Sequence, residues 1–179
     1  NLQYDSGEKK MTMEGKTIYS NYNGRYYNYS QAKSACPKGW HVPSDGEWKE
    51  LETEIGIHPD DIDILGYISR AGLNTLPGKE LISNEELMFF ARTSGLLTKD
   101  EYGLFKVSQT RDKGYYWTST KSDEVNAIFR IIGKDFDGIV RDKLGTQNYF
   151  SCRCVEDRDL ATVIATSPKL KEISSKTTA

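Results

Sequence analysis

The run ACPKGWHVPSDGEWKEL, residues 35 to 51, constrains this chain more than any other stretch. It carries one of the three cysteines, one of the two histidines and two of the three tryptophans. Two explanations compete for it. Cys36 and His41 can be read as a thiolate and its base, a pairing that needs a third group to orient the imidazole. They can also be read as frame residues. Pro37 and Gly39 turn the chain after a helix, and Trp40-His41-Val42 reads as a short strand entering the core. Ser44 and Glu47 have the spacing of a capping box, in which each side chain satisfies the other's free backbone N–H. Trp48, Leu51 and Ile55 then recur as one apolar helical stripe that ends near Gly56. Spacing identifies no residue to orient His41, so the frame reading is the stronger one.

Around this run the chain reads as α+β. Residues 1–15 form a polar lead-in, with room for one edge strand. TIYSNYNGRYYNYS is aromatic and β-prone, with Asn23-Gly24 as a turn between two short strands. Ser30 is placed to cap a helix over QAKSAC. Asn28-Tyr29-Ser30 is a glycosylation sequon by letter and reads as strand and cap. Tyr26, Tyr27 and Tyr29 read as sheet packing. Residues 57–113 are punctuated by glycines and Pro77 into loops, with a short helix expected over 59–70 and SNEELMFFARTSG readable as helix or strand. From residue 114, YYWTST, NAIFRIIG, GIVRDKL and YFSCRCVED read as an antiparallel meander. Ala127, Phe129 and Ile131 share one face there, and Arg130 lies on the other. Lys134 to Gly138 serves as a hairpin connection. Residues 159–179 read as a weakly ordered tail, leaving one domain over 16–158.

Composition excludes several functions. With 24 basic and 26 acidic residues the net charge is −2, which argues against nucleic acid as the main partner. No run approaches the apolar length of a membrane span. The chain starts at Asn1, so a preceding segment is expected, such as a signal peptide or lipid anchor. His58, Asp60, Asp61 and Asp63 in HPDDID, and Asp135 and Asp137 in DFDG, do not continue into a spaced calcium ligand set; capping and turn chemistry account for them. Cys152 and Cys154 lie two apart in a strand and face one side, so either can reach Cys36; a zinc site built on the C-x-C pair, Cys36 and His41 is the alternative. No cofactor is implied.

The order of elements resembles the C-type-lectin-like fold, with two helices packed on a twisted antiparallel sheet and a long loop-rich middle. Within it the chain is similar to the Fibrobacter succinogenes major paralogous domain, a family of bacterial surface and lipoprotein modules. Cys36, Pro37, Gly39, Trp40, His41, Pro43, Glu47 and Trp48 match its first motif. Trp117-Thr118-Ser119 and Arg153-Cys154-Val155 with Asp157 match the later ones. Over residues 17 to 157 the match is poor only in the middle, where LNTLPG alone fits. The resemblance implies a Cys36–Cys154 disulfide and leaves Cys152 as a free thiol. Such a bridge stabilises by roughly 4–5 kcal/mol on chain-entropy grounds.

The resemblance implies a secreted or cell-surface location. The Glu-Pro-Asn, Gln-Pro-Asp and Trp-Asn-Asp triplets of calcium-dependent sugar binding are absent, as is the cysteine motif of formylglycine-generating enzymes. The expected function is a non-enzymatic ligand-binding or adhesion module with a protein or glycan partner. Contact is expected through residues 57–113, with exposed Tyr102 and Phe105 as first candidates. A cell-envelope spacer without a ligand is the second reading, and an enzyme using Cys36 or Cys152 the third.

Overall fold

The computed structural model describes residues 25–71, 75–85, 87, 89–99, 101–102, 105–108 and 111–157, with Ile68 by its backbone only, and the backbone of three N-terminal strands. The Asn23-Gly24 turn and the tail over 159–179 lie outside the described residues. The N-terminal strands β1 (Gln3–Asp5), β2 (Lys10–Met13) and β3 (Lys16–Tyr19) pair antiparallel in sequence order. Two of them therefore fall within the stretch read as a lead-in.

The organising element is a five-stranded sheet. Strands β8 (Lys113–Lys121), β9 (Asn126–Gly133) and β10 (Ile139–Gly145) form the expected antiparallel meander. Its edges come from elsewhere in the chain. β5 (Gly66–Arg70) pairs antiparallel with β10, and β11 (Ser151–Cys152) pairs parallel with β8. A parallel edge strand needs a crossover connection, so the last run is no fourth turn of the meander. The short β12 (Val155–Glu156) instead pairs with β4 (Trp40–His41), and β6 (Leu96–Lys99) with β7 (Phe105–Ser108) forms a separate hairpin. The chain is α+β with mostly antiparallel sheets.

Both faces of the large sheet are covered, which is why period-2 strands here are buried on both sides. On one face Tyr115, Trp117, Phe129, Ile131, Val140 and Phe150 pack together under the single-turn helix α1 (Tyr29–Ala32). Full burial of each such side chain contributes roughly 1.5–3 kcal/mol. The cap of α1 is Asn28, whose side chain accepts from Gln31 N–H, and not Ser30 as its hydroxyl suggested. The asparagine of the sequon is thus engaged in capping. Tyr26 and Tyr29 are buried.

On the other face lie α2 (Asp45–Glu54) and α3 (Pro77–Ser83). The Ser44–Glu47 capping box is formed, and Gly56 leaves the helix at φ 96°. The stripe that α2 turns to the sheet is Asp45, Trp48 and Glu52. Leu51 and Ile55 sit only at the margin of the cluster of Trp48, Ile57, Leu81, Tyr116, Ile132 and Ile139, which corrects the all-apolar stripe. Trp40 is also corrected: it is 44% exposed, and of Trp40-His41-Val42 only Val42, just past β4, is buried. Residues 59–70 yield one turn of 3-10 helix over Pro59–Asp61 followed by β5.

Candidate functional site

Charges buried beneath α2 fix how that helix sits. Arg130 on β9 donates to Glu52 at 2.5 Å and to Asp45 at 2.8 Å. Arg70 on β5 makes two bonds to Glu52, at 2.8 and 2.9 Å, and Arg141 on β10 makes two to Asp45, at 2.8 and 2.9 Å. Arg130 therefore does lie opposite Ala127, Phe129 and Ile131, but beneath a helix and not in water. Burial alone would raise the Asp45 carboxyl. The guanidinium groups of Arg141 and Arg130 more than offset this and hold it well below the usual carboxylate range. Such paired, sealed charges position elements and are costly to break singly.

The motif histidine is held from both sides. Asp157 meets His41 Nδ1 at 2.5 Å and Glu47 meets Nε2 at 2.7 Å. These hydrogen bonds, that to Asp157 foremost, raise the His41 pKa. Ser44 completes the chain by donating its hydroxyl to Glu47 at 2.8 Å. The order is Ser–Glu–His–Asp, so the imidazole does not face the hydroxyl as a general base must. This is a clamp that joins the first motif to the last strand.

Cys36 and Cys154 are bonded to each other, with Cα atoms 5.7 Å apart. Cys152 is unbonded and packs beside the Trp117 cluster; the chain leaves the sheet after β11, so the C-x-C pair does not continue as one strand. Burial pushes its thiol up to about 11, far from the thiolate a nucleophile needs. Among the described residues no three His, Cys, Asp or Glu side chains come together as a metal site. His58 accepts from the Asp60 N–H as a cap, while Asp63, Asp135 and Asp137 pair with Lys49, Lys113 and Lys79. Tyr102 is 81% exposed beside the β6–β7 hairpin, whereas Phe105 packs edge-on against Tyr149 at 5.5 Å.

Two adjoining depressions lie where the loop-rich middle meets the stapled frame, apart from one of about 410 Å³ beside Glu54 and Glu80. One depression of about 320 Å³ is lined by Arg25, Tyr27, Arg92, Tyr116, Arg153 and both Cys152 and Cys154. A second of about 370 Å³ shares Arg92 and Ser94 with it and adds Arg111 and Lys134. Five cations line the pair, and no carboxylate does. The segment carrying Arg92 is pinned on every side. The Tyr116 hydroxyl donates to the Arg92 carbonyl at 2.7 Å, and the Tyr26 hydroxyl donates to that of Ser94. Arg111 N–H donates to the Thr93 carbonyl at 2.8 Å, and Gly95 N–H to that of Lys113 at 2.7 Å. Gly114 permits the approach, since a Cβ there would overlap the Arg92 carbonyl oxygen. The two non-glycine residues at positive φ among those described flank or line this surface: Phe90 at 48° and Arg111 at 72°. Strained backbone of this kind persists only where surrounding structure over-determines it.

The motif segments now have a common explanation. Asp157 N–H donates to the Gly39 carbonyl at 2.8 Å, and Ser119 N–H to that of Pro43 at 2.9 Å. The first motif, the Trp-Thr-Ser strand and the closing Arg-Cys-Val are one connected frame. A family model, the Fibrobacter succinogenes major domain, matches residues 2–156. The chain belongs to this family. The match covers the N-terminal sheet as well as the frame of the Fibrobacter succinogenes major domain, and the resemblance read from the motifs is thereby shown. Searches of curated proteins and of solved structures returned no match. No helix among the described residues is long and apolar enough to cross a membrane.

Proposed function

We propose that this Fibrobacter succinogenes major domain is a non-enzymatic ligand-binding or adhesion module of the cell surface or its surroundings, with the paired depressions around Arg92 as its contact surface. The observation that carries the reading is the junction itself. A segment of the loop-rich middle, residues 91–95, is locked onto a disulfide-stapled frame so that its side chains face a concavity. Rigid frames that present loops are how binding residues are commonly carried, and preorganisation lowers the ordering cost of binding. The arrangement is compatible with a C-type-lectin-like architecture: helices on a mostly antiparallel sheet, with the segment after α1 joined by a disulfide to the end of the frame. The reading of an enzyme using Cys36 or Cys152 is disfavoured by the Cys36 bond and by the burial that raises the Cys152 thiol.

The test is a glycan and protein array screen with the domain and with Ala35→Trp, which fills the first depression from its rim. A saturable hit that the variant loses, at unchanged denaturation midpoint, supports the proposal. A hit that the variant retains moves the contact surface, with Tyr102 the next residue to test. No saturable hit at all favours a cell-envelope spacer.

A further inference from the structure

We infer that the groove takes a compact organic anion carrying two or more carboxylate or phosphate groups; this rests on the groove being the ligand site. The chain as a whole bears two more acidic than basic side chains, so five cations without a lining carboxylate are a local concentration and not a share of a basic surface. Among the described residues Arg25, Arg92, Arg153 and Lys134 have no carboxylate partner, although the protein pairs its cations freely elsewhere. A surface lined by cations and no carboxylate favours an anionic ligand.

Four of the five are arginines, whose planar fork grips carboxylate or phosphate through two parallel bonds. The Arg153 guanidinium lies over the Phe89 ring at 4.6 Å, which fixes its plane and leaves its edge for a ligand. Arg92 is carried on the pinned segment, so its backbone needs no ordering on binding. Phe90, 49% exposed, stands beside this segment as an apolar rim. The ligand is compact for two reasons. Each depression is of small-molecule size. Beyond the groove the net negative surface acts against a long polyanion over roughly 10 Å at moderate salt.

The experiment titrates the intact domain with digalacturonate and with inorganic pyrophosphate, using neutral digalactose and a single-stranded oligonucleotide as comparisons. Amide shifts map the site. The expected result is saturable binding of at least one of the first two, weakened by salt, with shifts at residues 92–94. The double variant Arg25→Gln/Arg92→Gln, both exposed side chains, should weaken it about tenfold or more with an unchanged unfolding midpoint. Binding of digalacturonate alone assigns a carboxylate ligand, and of pyrophosphate alone a phosphate ligand. Digalactose bound in the groove instead would overturn the anion while leaving the groove as the ligand site. Length-dependent oligonucleotide binding that outcompetes both small anions overturns compactness. Binding unaffected by the double variant, or no binding of any charged probe, overturns the inference.

Discussion

Arg130 on β9 and Glu52 on α2 are 78 residues apart in sequence and meet at 2.5 Å, both sealed from water. Glu52 also carries Arg70, so one carboxylate holds two strands to the helix. Replacing it with Gln keeps the volume but leaves Arg70 buried without a counter-charge and Arg130 with only Asp45, which it shares with Arg141. Glu52→Gln is expected to cost about 3–5 kcal/mol of unfolding free energy, read from urea transitions. A loss of under about 1 kcal/mol would mean that water reaches these arginines.

The Cys36–Cys154 bridge spans 118 residues. Cys36→Ser/Cys154→Ser is expected to lose about 4–5 kcal/mol, mostly through a freer unfolded chain. Mass spectrometry of unreduced peptides should recover residues 36 and 154 linked. Linkage of Cys36 to Cys152 in the native protein would contradict the arrangement described above.

His41 gives stability a pH dependence with a defined sign. Its folded pKa is raised, so its contribution is complete below about 6.5 and is lost as pH rises through the folded value. Glu47 acts oppositely: its pKa is lowered, so its contribution is present above the ordinary carboxylate range and lost as pH falls. The urea midpoint should therefore decline from mildly acidic to mildly alkaline pH, and His41→Gln should flatten that decline. Because the ring is 40% exposed, the effect is small. A wild-type midpoint that rises over this range would refute the clamp.

Gly114 admits the Arg92 segment against β8. Gly114→Ala should displace that segment, at about 1–3 kcal/mol, and weaken groove binding more than stability. Retained affinity at full strength would show that the segment's placement is immaterial to the ligand.

The parts legible in the sequence share a local signal. The Ser44–Glu47 box, the strand alternation through Ala127–Ile131 and the hairpin over Lys134–Gly138 are each written in consecutive residues. Helix α3 carries only the start signal of Pro77, since its N-cap Leu76 makes no side-chain bond. The burial of Glu52, Arg70, Arg130 and Arg141 was hidden because a charge beside apolar neighbours reads as a solvated face until its partner is known. The groove was hidden for a related reason. Arg25, Arg92, Arg111, Lys134 and Arg153 come from five separate segments, and each alone looks like an ordinary surface cation.

The placement of the bridge offers Cys36 two nearby partners in oxidative folding. Cys36 is made early, and its proper partner follows a competing thiol by only two positions. A linkage to Cys152 would draw β11 off its register with Tyr116 and Trp117, so docking of that strand selects against the wrong isomer. If docking of the parallel edge discriminates between the two thiols, a Cys152→Ser chain should oxidise to a single product faster than the natural one.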